Sequence, residues 1–221
     1  HMTVMDKWLL SKLNSMVKAV DENLGNYRIP EAARALQEFV DEMSNWYVRR
    51  GRERYWVQGM TDDKTAAYMT LYTALVTTAK AAAPMIPFMA ENIYQNLVRS
   101  VDKNAPESVH LCNFPKVDES AIDTHLEEEM ERVLEIVVLG RAARNGSSRK
   151  NRQPLGVMYV KTDLKLEDFC TDIIKDELNI KRVCFTDEVD NFVDYKFKPQ
   201  LKTVGPKFGK QLGEIRTALS E

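Results

Sequence analysis

Between Asn45 and Trp56 the chain sets an amide, two guanidiniums and an indole at helical spacing. Asn45, Arg49, Arg52 and Trp56 fall at i, i+4, i+7 and i+11. At about 100° per residue they share an arc of about 60° on one face of a helix. Amides and guanidiniums hydrogen-bond base edges and phosphates, and an exposed indole stacks a splayed-out base, so this is a pattern suited to RNA contact. The plainer alternative is a solvated charged face in which Arg49 pairs with Glu53 at i+4. A second basic run, Arg141, Arg144, Arg149, Lys150 and Arg152, passes through Gly146-Ser147-Ser148 with no acid between Arg141 and Arg152. It is a candidate phosphate contact, or equally a solvated linker.

Catalytic chemistry is hard to assemble. His1-Met2 reads as the remnant of an expression tag and is set aside. Beyond it the histidines are His110 and His125, and neither sits near a Cys or Ser in a nucleophilic arrangement. His110-Leu111-Cys112 offers two zinc ligands without a second pair at ligand spacing. Gly205 to Gln211 has three residues between its glycines where a phosphate loop has four, and Gln211 stands where Ser or Thr would hold magnesium. Asn145-Gly146-Ser147 is a glycosylation sequon by pattern only. No catalytic residue, metal or cofactor is expected in this chain.

A net charge of −2 argues against wholesale coating of nucleic acid, so any RNA contact must come from local basic patches and DNA is not an expected partner. Three widely spaced cysteines fit reduced thiols, and no apolar run reaches a membrane span of about 18 residues. The expected setting is cytoplasmic, with no membrane partner.

The elements that must carry these side chains follow from periodicity. Thr3 with Asp6 makes a capping-box-like start to a helix that buries Leu9, Leu13, Met16, Val17, Val20 and Leu24 and stops at Gly25. A second helix opens at Pro30 and runs to about Val57 with Gly51 as its weak point. Its stripe is Leu36, Phe39, Val40, Met43, Trp46 and Tyr47, with Arg50 and Arg54 as partly buried ion-pairing residues. A third, Ala-rich helix starts at Thr61-Asp62 and is interrupted by Pro84 and Pro87. A fourth runs to Arg99 with Phe88, Ile93 and Leu97 turned inward, and a loop spans Asp102 to Lys116. A long fifth helix starts near Asp118 to Ser120, with Leu126, Met130, Val133, Leu134 and Val137 as its stripe. Past Pro154 the period changes: a strand at Val157–Val160, a helix at Glu167–Leu178, a strand at Arg182–Phe185, a third near Phe197–Leu201, and a last helix carrying Phe208, Leu212, Ile215 and Leu219. The expected fold is mainly α: an antiparallel helical bundle over 3–152, then a small and truncated α/β unit over 153–221.

Several separated segments together match a known family: Trp8–Ser15 (WLLSKLNS), Phe39–Arg50 (FVDEMSNWYVRR), Ala83–Tyr94 (APMIPFMAENIY), Ser108–Leu111 (SVHL), Leu139–Asn145 (LGRAARN), Arg152–Leu155 (RQPL) and Lys198–Lys210 (KPQLKTVGPKFGK). The chain resembles the C-terminal, anticodon-binding part of isoleucyl-tRNA synthetase, a class I aminoacyl-tRNA synthetase. The resemblance implies a bundle of the anticodon-binding type that grips the anticodon stem and loop of isoleucine tRNA. A catalytic domain of the same parent chain, with HIGH- and KMSKS-type signatures absent here, would use ATP and magnesium for aminoacylation. By analogy with a related synthetase family, Asn14 and Lys18 on the first helix become anticodon contacts, Lys standing where Arg is usual. Trp56 or Tyr55 becomes the stacking residue, and Trp8 a packing contact to the catalytic domain. The alternative is a docking module for another domain or subunit, without anticodon readout.

Overall fold

The computed structural model describes residues 2–188 and 200–219. They form two units, 1–131 and 132–221, and the boundary falls inside a helix.

In the first unit α1 (Val4–Gly25) opens on a complete capping box. The Thr3 hydroxyl accepts from the Asp6 amide while the Asp6 carboxylate accepts from the Thr3 amide at 2.7 Å. Its core face carries Trp8, Leu9, Leu13, Met16, Val17 and Val20. Trp8 is only 1% exposed, so the indole expected to face a separate domain belongs to the core of this unit. After a short turn, in which the Arg28 amide donates to the Asn23 carbonyl at 2.8 Å, α2 (Ile29–Glu42) packs back on α1.

Two shorter pieces follow where one helix to Val57 is expected: a π-helical segment, Met43–Val48, and α3 (Arg52–Trp56). Helix α4 (Asp62–Ala82) is capped by Thr61 and packs on α1 and on α5 (Pro87–Tyr94). Its buried positions include Ala67, Ala74, Ala79 and Ala82, whose small side chains permit close approach. Phe88 corrects the sequence reading, being 90% exposed. Pro87 fixes the helix start, and Phe88 then lies about 200° from Ala90. Ala90 and Tyr94 instead form the core there with Ala83 and Val109.

Helix α6 (Thr124–Gly146) begins later than expected. Asp118 caps only a single turn, Glu119–Ala121, and Asp123 accepts from the Leu126 amide at 3.0 Å to start the helix proper.

The second unit takes the C-terminal half of α6 and adds β1 (Leu155–Val160), α7 (Asp168–Leu178) and β2 (Ile180–Phe185). The strands pair in parallel, from Leu155 opposite Ile180 to Val160 opposite Phe185, as a crossover helix requires. Asn179 ends α7 in the left-handed region at φ 51°, and its side-chain amide donates to the carbonyls of Asn151 and Arg152 at 3.2 and 3.1 Å. The expected division at 152/153 differs from this packing because α6 supplies part of the second core. Val133, Ile136 and Val137 are buried, and a Cβ on Gly140 would collide with Leu178. The third strand expected at 197–201 falls on 197–199, outside the described residues, and Leu201 opens α8 (Leu201–Phe208). The expected last helix is two helices, since a tight turn at Gly209–Gln211 separates α8 from α9 (Leu212–Ala218). No helix among the described residues is long and apolar enough to cross a membrane.

One ionic cluster ties the first unit together. Asp6, 0% exposed, accepts two bonds from the Arg54 guanidinium at 2.8 and 2.9 Å and one from the Tyr47 hydroxyl at 2.5 Å. Arg54 also reaches Asp63 on α4 at 2.8 and 2.9 Å. Burial pushes the Asp6 carboxyl up, but the bonds from Arg54, Tyr47 and Thr3 outweigh it and lower the pKa from 3.8 to about 2. Because the folded value is depressed, this stabilisation is fully present above pH 4 and is lost as pH falls toward 2. The shift corresponds to about 2 kcal/mol. Asp6→Asn should cost about 3–5 kcal/mol by leaving Arg54 short of its partner. Urea unfolding from pH 5 to pH 2 should show a stability slope in the unsubstituted protein that the variant lacks.

Candidate nucleic-acid interface

The residues chosen for RNA contact sit on the two pieces that replace the end of the expected second helix. In the π-helical segment the Arg49 amide donates to the Ser44 carbonyl, five residues back, at 3.1 Å. The Gly51 amide then closes on the Tyr47 carbonyl at 2.8 Å, and α3 starts. A Cβ at position 51 would lie 2.9 Å from the Tyr47 carbonyl oxygen, so only glycine lets the chain turn this tightly. A uniform 100° step therefore fails across the break.

The four side chains are nonetheless all exposed: Asn45, Arg49, Arg52 and Trp56. They are organised as two stacked pairs instead of a single file. The Arg49 guanidinium lies over the Trp46 ring at 5.8 Å and its Nε donates to the Asn45 carbonyl at 2.8 Å. The Arg52 guanidinium lies over the Trp56 ring at 5.4 Å. Trp46, read from sequence as plain packing, is half-buried and serves as the floor under Arg49. An Arg three residues after a Trp was the available signal.

Trp56 is 72% exposed. Tyr55 does not share that role, because its ring is half-buried edge-on to Tyr68 at 5.1 Å. Arg54 is the ion-pairing residue the spacing implied, and Arg50 is half-buried. Arg54 fixes α3, because its guanidinium is locked between Asp6 and Asp63. The exposed Arg52 and Trp56 thus stand on a helix of only five residues whose far side is pinned ionically to α1 and α4. No single-residue pattern exposes that anchoring, since the two partners lie 48 residues apart.

Asn14 and Lys18 are occupied by the protein itself. The Asn14 side chain donates to the Leu10 carbonyl at 2.9 Å and accepts from the Asp118 amide at 2.8 Å. Lys18 pairs with Glu119 at 3.0 Å, which raises its pKa. Both hold the chain where it returns across α1 at 118–121, a contact over 101 to 104 residues that helix spacing cannot reveal. The Lys18 pair is exposed and weak, so Lys18 remains exchangeable where Asn14 does not.

The second basic run is divided between the end of α6, which carries Arg141 and Arg144, and the turn after it, and it is not wholly uncompensated. Arg141 pairs with Glu177, an acid 36 residues on, which was invisible in the local sequence. Arg144 is 5% exposed and its Nη2 donates to the carbonyls of Lys150 and Gln153, both at 2.5 Å. Arg149, Lys150 and Arg152 are exposed. Asn145 and Asn151, which the sequence reading did not propose as contacts, join Arg141, Arg144 and Arg149 in lining a cleft of about 170 Å³.

The model of a family described as the anticodon-binding domain of tRNA ligase matches residues 6–159. This chain belongs to that family. The match covers most of the first unit and runs into β1. Over 217 residues the domain is 54% identical to an isoleucine–tRNA ligase of Clostridium novyi, covering 98% of this chain and 21% of the relative. Isoleucine–tRNA ligase 2 of Bacillus cereus is 42% identical over 224 residues, covering 100% and 21%. An isoleucine–tRNA ligase of Cytophaga hutchinsonii is 42% identical over 224 residues, covering 99% and 20%. The chain thus spans about a fifth of the length of the curated relatives it matches.

The turn before α3 leaves no room for a side chain at position 51 of this anticodon-binding domain. Gly51→Ala must push the added methyl against the Tyr47 carbonyl, and should cost about 1–3 kcal/mol. A urea midpoint unchanged from the unsubstituted protein would contradict the close approach.

Proposed function

We propose that this domain recognises the anticodon stem and loop of isoleucine tRNA and positions that tRNA for ATP-dependent aminoacylation by the catalytic part of a parent isoleucine–tRNA ligase. The observation that carries the reading is Trp56, 72% exposed, with the Arg52 guanidinium 5.4 Å above its ring on a helix held from behind by Asp6 and Asp63. A protein spends an ionic anchor on an exposed indole where that indole has something to meet. The similarity along nearly the whole chain to isoleucine–tRNA ligases supports isoleucine tRNA as the RNA.

In this mechanism Trp56 stacks an unpaired anticodon base, while Arg49 and Arg52 take phosphates or base edges and Asn45 adds an amide. The stacked guanidiniums are held in place before RNA arrives, which lowers the entropy lost on binding. ATP and magnesium would serve the parent's catalytic part, and the setting would be the cytoplasm.

A docking function is favoured by a different observation: Ile86, Phe88 and Met89 lie exposed together at the start of α5. Adjacent large apolar side chains of this kind suit a protein surface better than RNA.

Gel shifts with isoleucine tRNA and a non-cognate tRNA separate the two readings. Trp56→Ala should weaken cognate binding by about 1–3 kcal/mol, the worth of one stacked base. Arg49→Ala with Arg52→Ala should weaken it and flatten the salt dependence by about 1.4–1.8 in log–log slope if each meets one phosphate. Unchanged affinity and slope in that double variant would discard the anticodon reading in favour of docking.

A further inference from the structure

The second unit contains a cationic cleft that the stacked pairs of the first do not explain. It lies at the end of α6, has a volume of about 170 Å³, and is lined by Arg141, Arg144, Asn145, Arg149 and Asn151. Every lining side chain can donate hydrogen bonds and none is acidic.

Arg144 is the unusual member. It is 5% exposed, yet it has no carboxylate partner among the described residues. Its Nη2 is spent on the Lys150 and Gln153 carbonyls, while Nε and Nη1 are buried with no hydrogen-bond partner. Buried guanidinium donors left unpaired are costly, and a charged donor more so than a neutral one. The residue forms part of the cleft wall, so a ligand in the cleft is the natural partner for those donors.

Charge fixes the sign and size of that ligand. Three guanidiniums surround the cleft against the one carboxylate of Glu177, which engages Arg141. The C-terminal end of α6 contributes about half a negative charge. More than one positive charge is left uncompensated, carried by Arg144 and Arg149. Planar guanidiniums match the oxygens of a phosphate in paired fashion, and a phosphodiester carries the single negative charge needed.

We propose that this cleft binds one phosphate of an RNA backbone, with Arg149 as the solvent-side contact and Arg144 as the buried one. The inference rests on the anticodon-binding reading for the source of the phosphate, but not for the site itself.

The test uses the whole 221-residue chain and two probes. In the first, inorganic phosphate is titrated against chloride at matched ionic strength while thermal unfolding is followed. Phosphate should raise the unfolding midpoint, and Arg149→Ala should weaken the apparent phosphate affinity at least tenfold. Arg149 is exposed, so its replacement leaves the fold intact. Arg144→Lys, which keeps the charge but not the paired geometry, should weaken it as well. In the second, isoleucine tRNA binding is measured against salt, and Arg149→Ala should lower the log–log slope by about 0.7 to 0.9. Phosphate protection indifferent to Arg149 overturns the site. Protection that needs Arg149, with an unchanged tRNA slope, overturns RNA as its source in favour of free phosphate. A chain that binds no isoleucine tRNA but keeps Arg149-dependent protection discards the anticodon reading and retains the oxyanion site.

Discussion

The buried contact between Asp6 and Arg54 is the constraint on which the first unit's geometry rests. A carboxylate with no exposure to water is tolerable only with full compensation, and Asp6 obtains it from Arg54, Tyr47 and Thr3 together. Those partners come from the start of α1, the π-helical segment and α3, and Arg54 carries the network on to Asp63 in α4. A single charge thus cross-links four parts of the chain, and it does so beneath the surface that presents Arg52 and Trp56. Positioning of the exposed groups is inherited from a buried one.

The break in the helix matters for the same reason. A continuous α-helix from Pro30 to Val57 would have carried Arg54 and Trp56 at fixed phase with Phe39 and Met43. The wider π-helical turn and the Gly51 close approach uncouple the two halves. The first half satisfies the apolar core through Phe39, Met43 and Tyr47, and the second satisfies Asp6. π-Helical turns recur at functional sites, and here the turn re-aims two cation–π pairs.

Much of this was legible in the sequence because it is local. The capping box at Thr3 and Asp6, the Ala-rich face of α4, the strand–helix–strand order after Pro154 and the outward placement of Asn45, Arg49, Arg52 and Trp56 all follow from spacing within a few turns. The distant contacts were not legible. Trp8, Asn14, Lys18, Arg141 and Arg144 each take an intramolecular role that depends on the folded chain around them, and no local pattern encodes such contacts. Phe88 was misplaced because a two-proline turn resets helical phase, and the start of α6 because two aspartates in succession each offer a cap.

Sharing α6 between two units places a constraint on how such chains can vary over time. A loop between domains absorbs insertions and deletions at small cost, but a helix does not. Adding or removing one residue between Val137 and Gly140 would turn the two apart by about 100° around the axis. Gly140 could then no longer meet Leu178 while Val133 and Val137 kept their apolar surroundings. Length changes in this stretch should therefore survive only in whole-turn steps, so that a ruler of fixed phase is preserved while its residues drift.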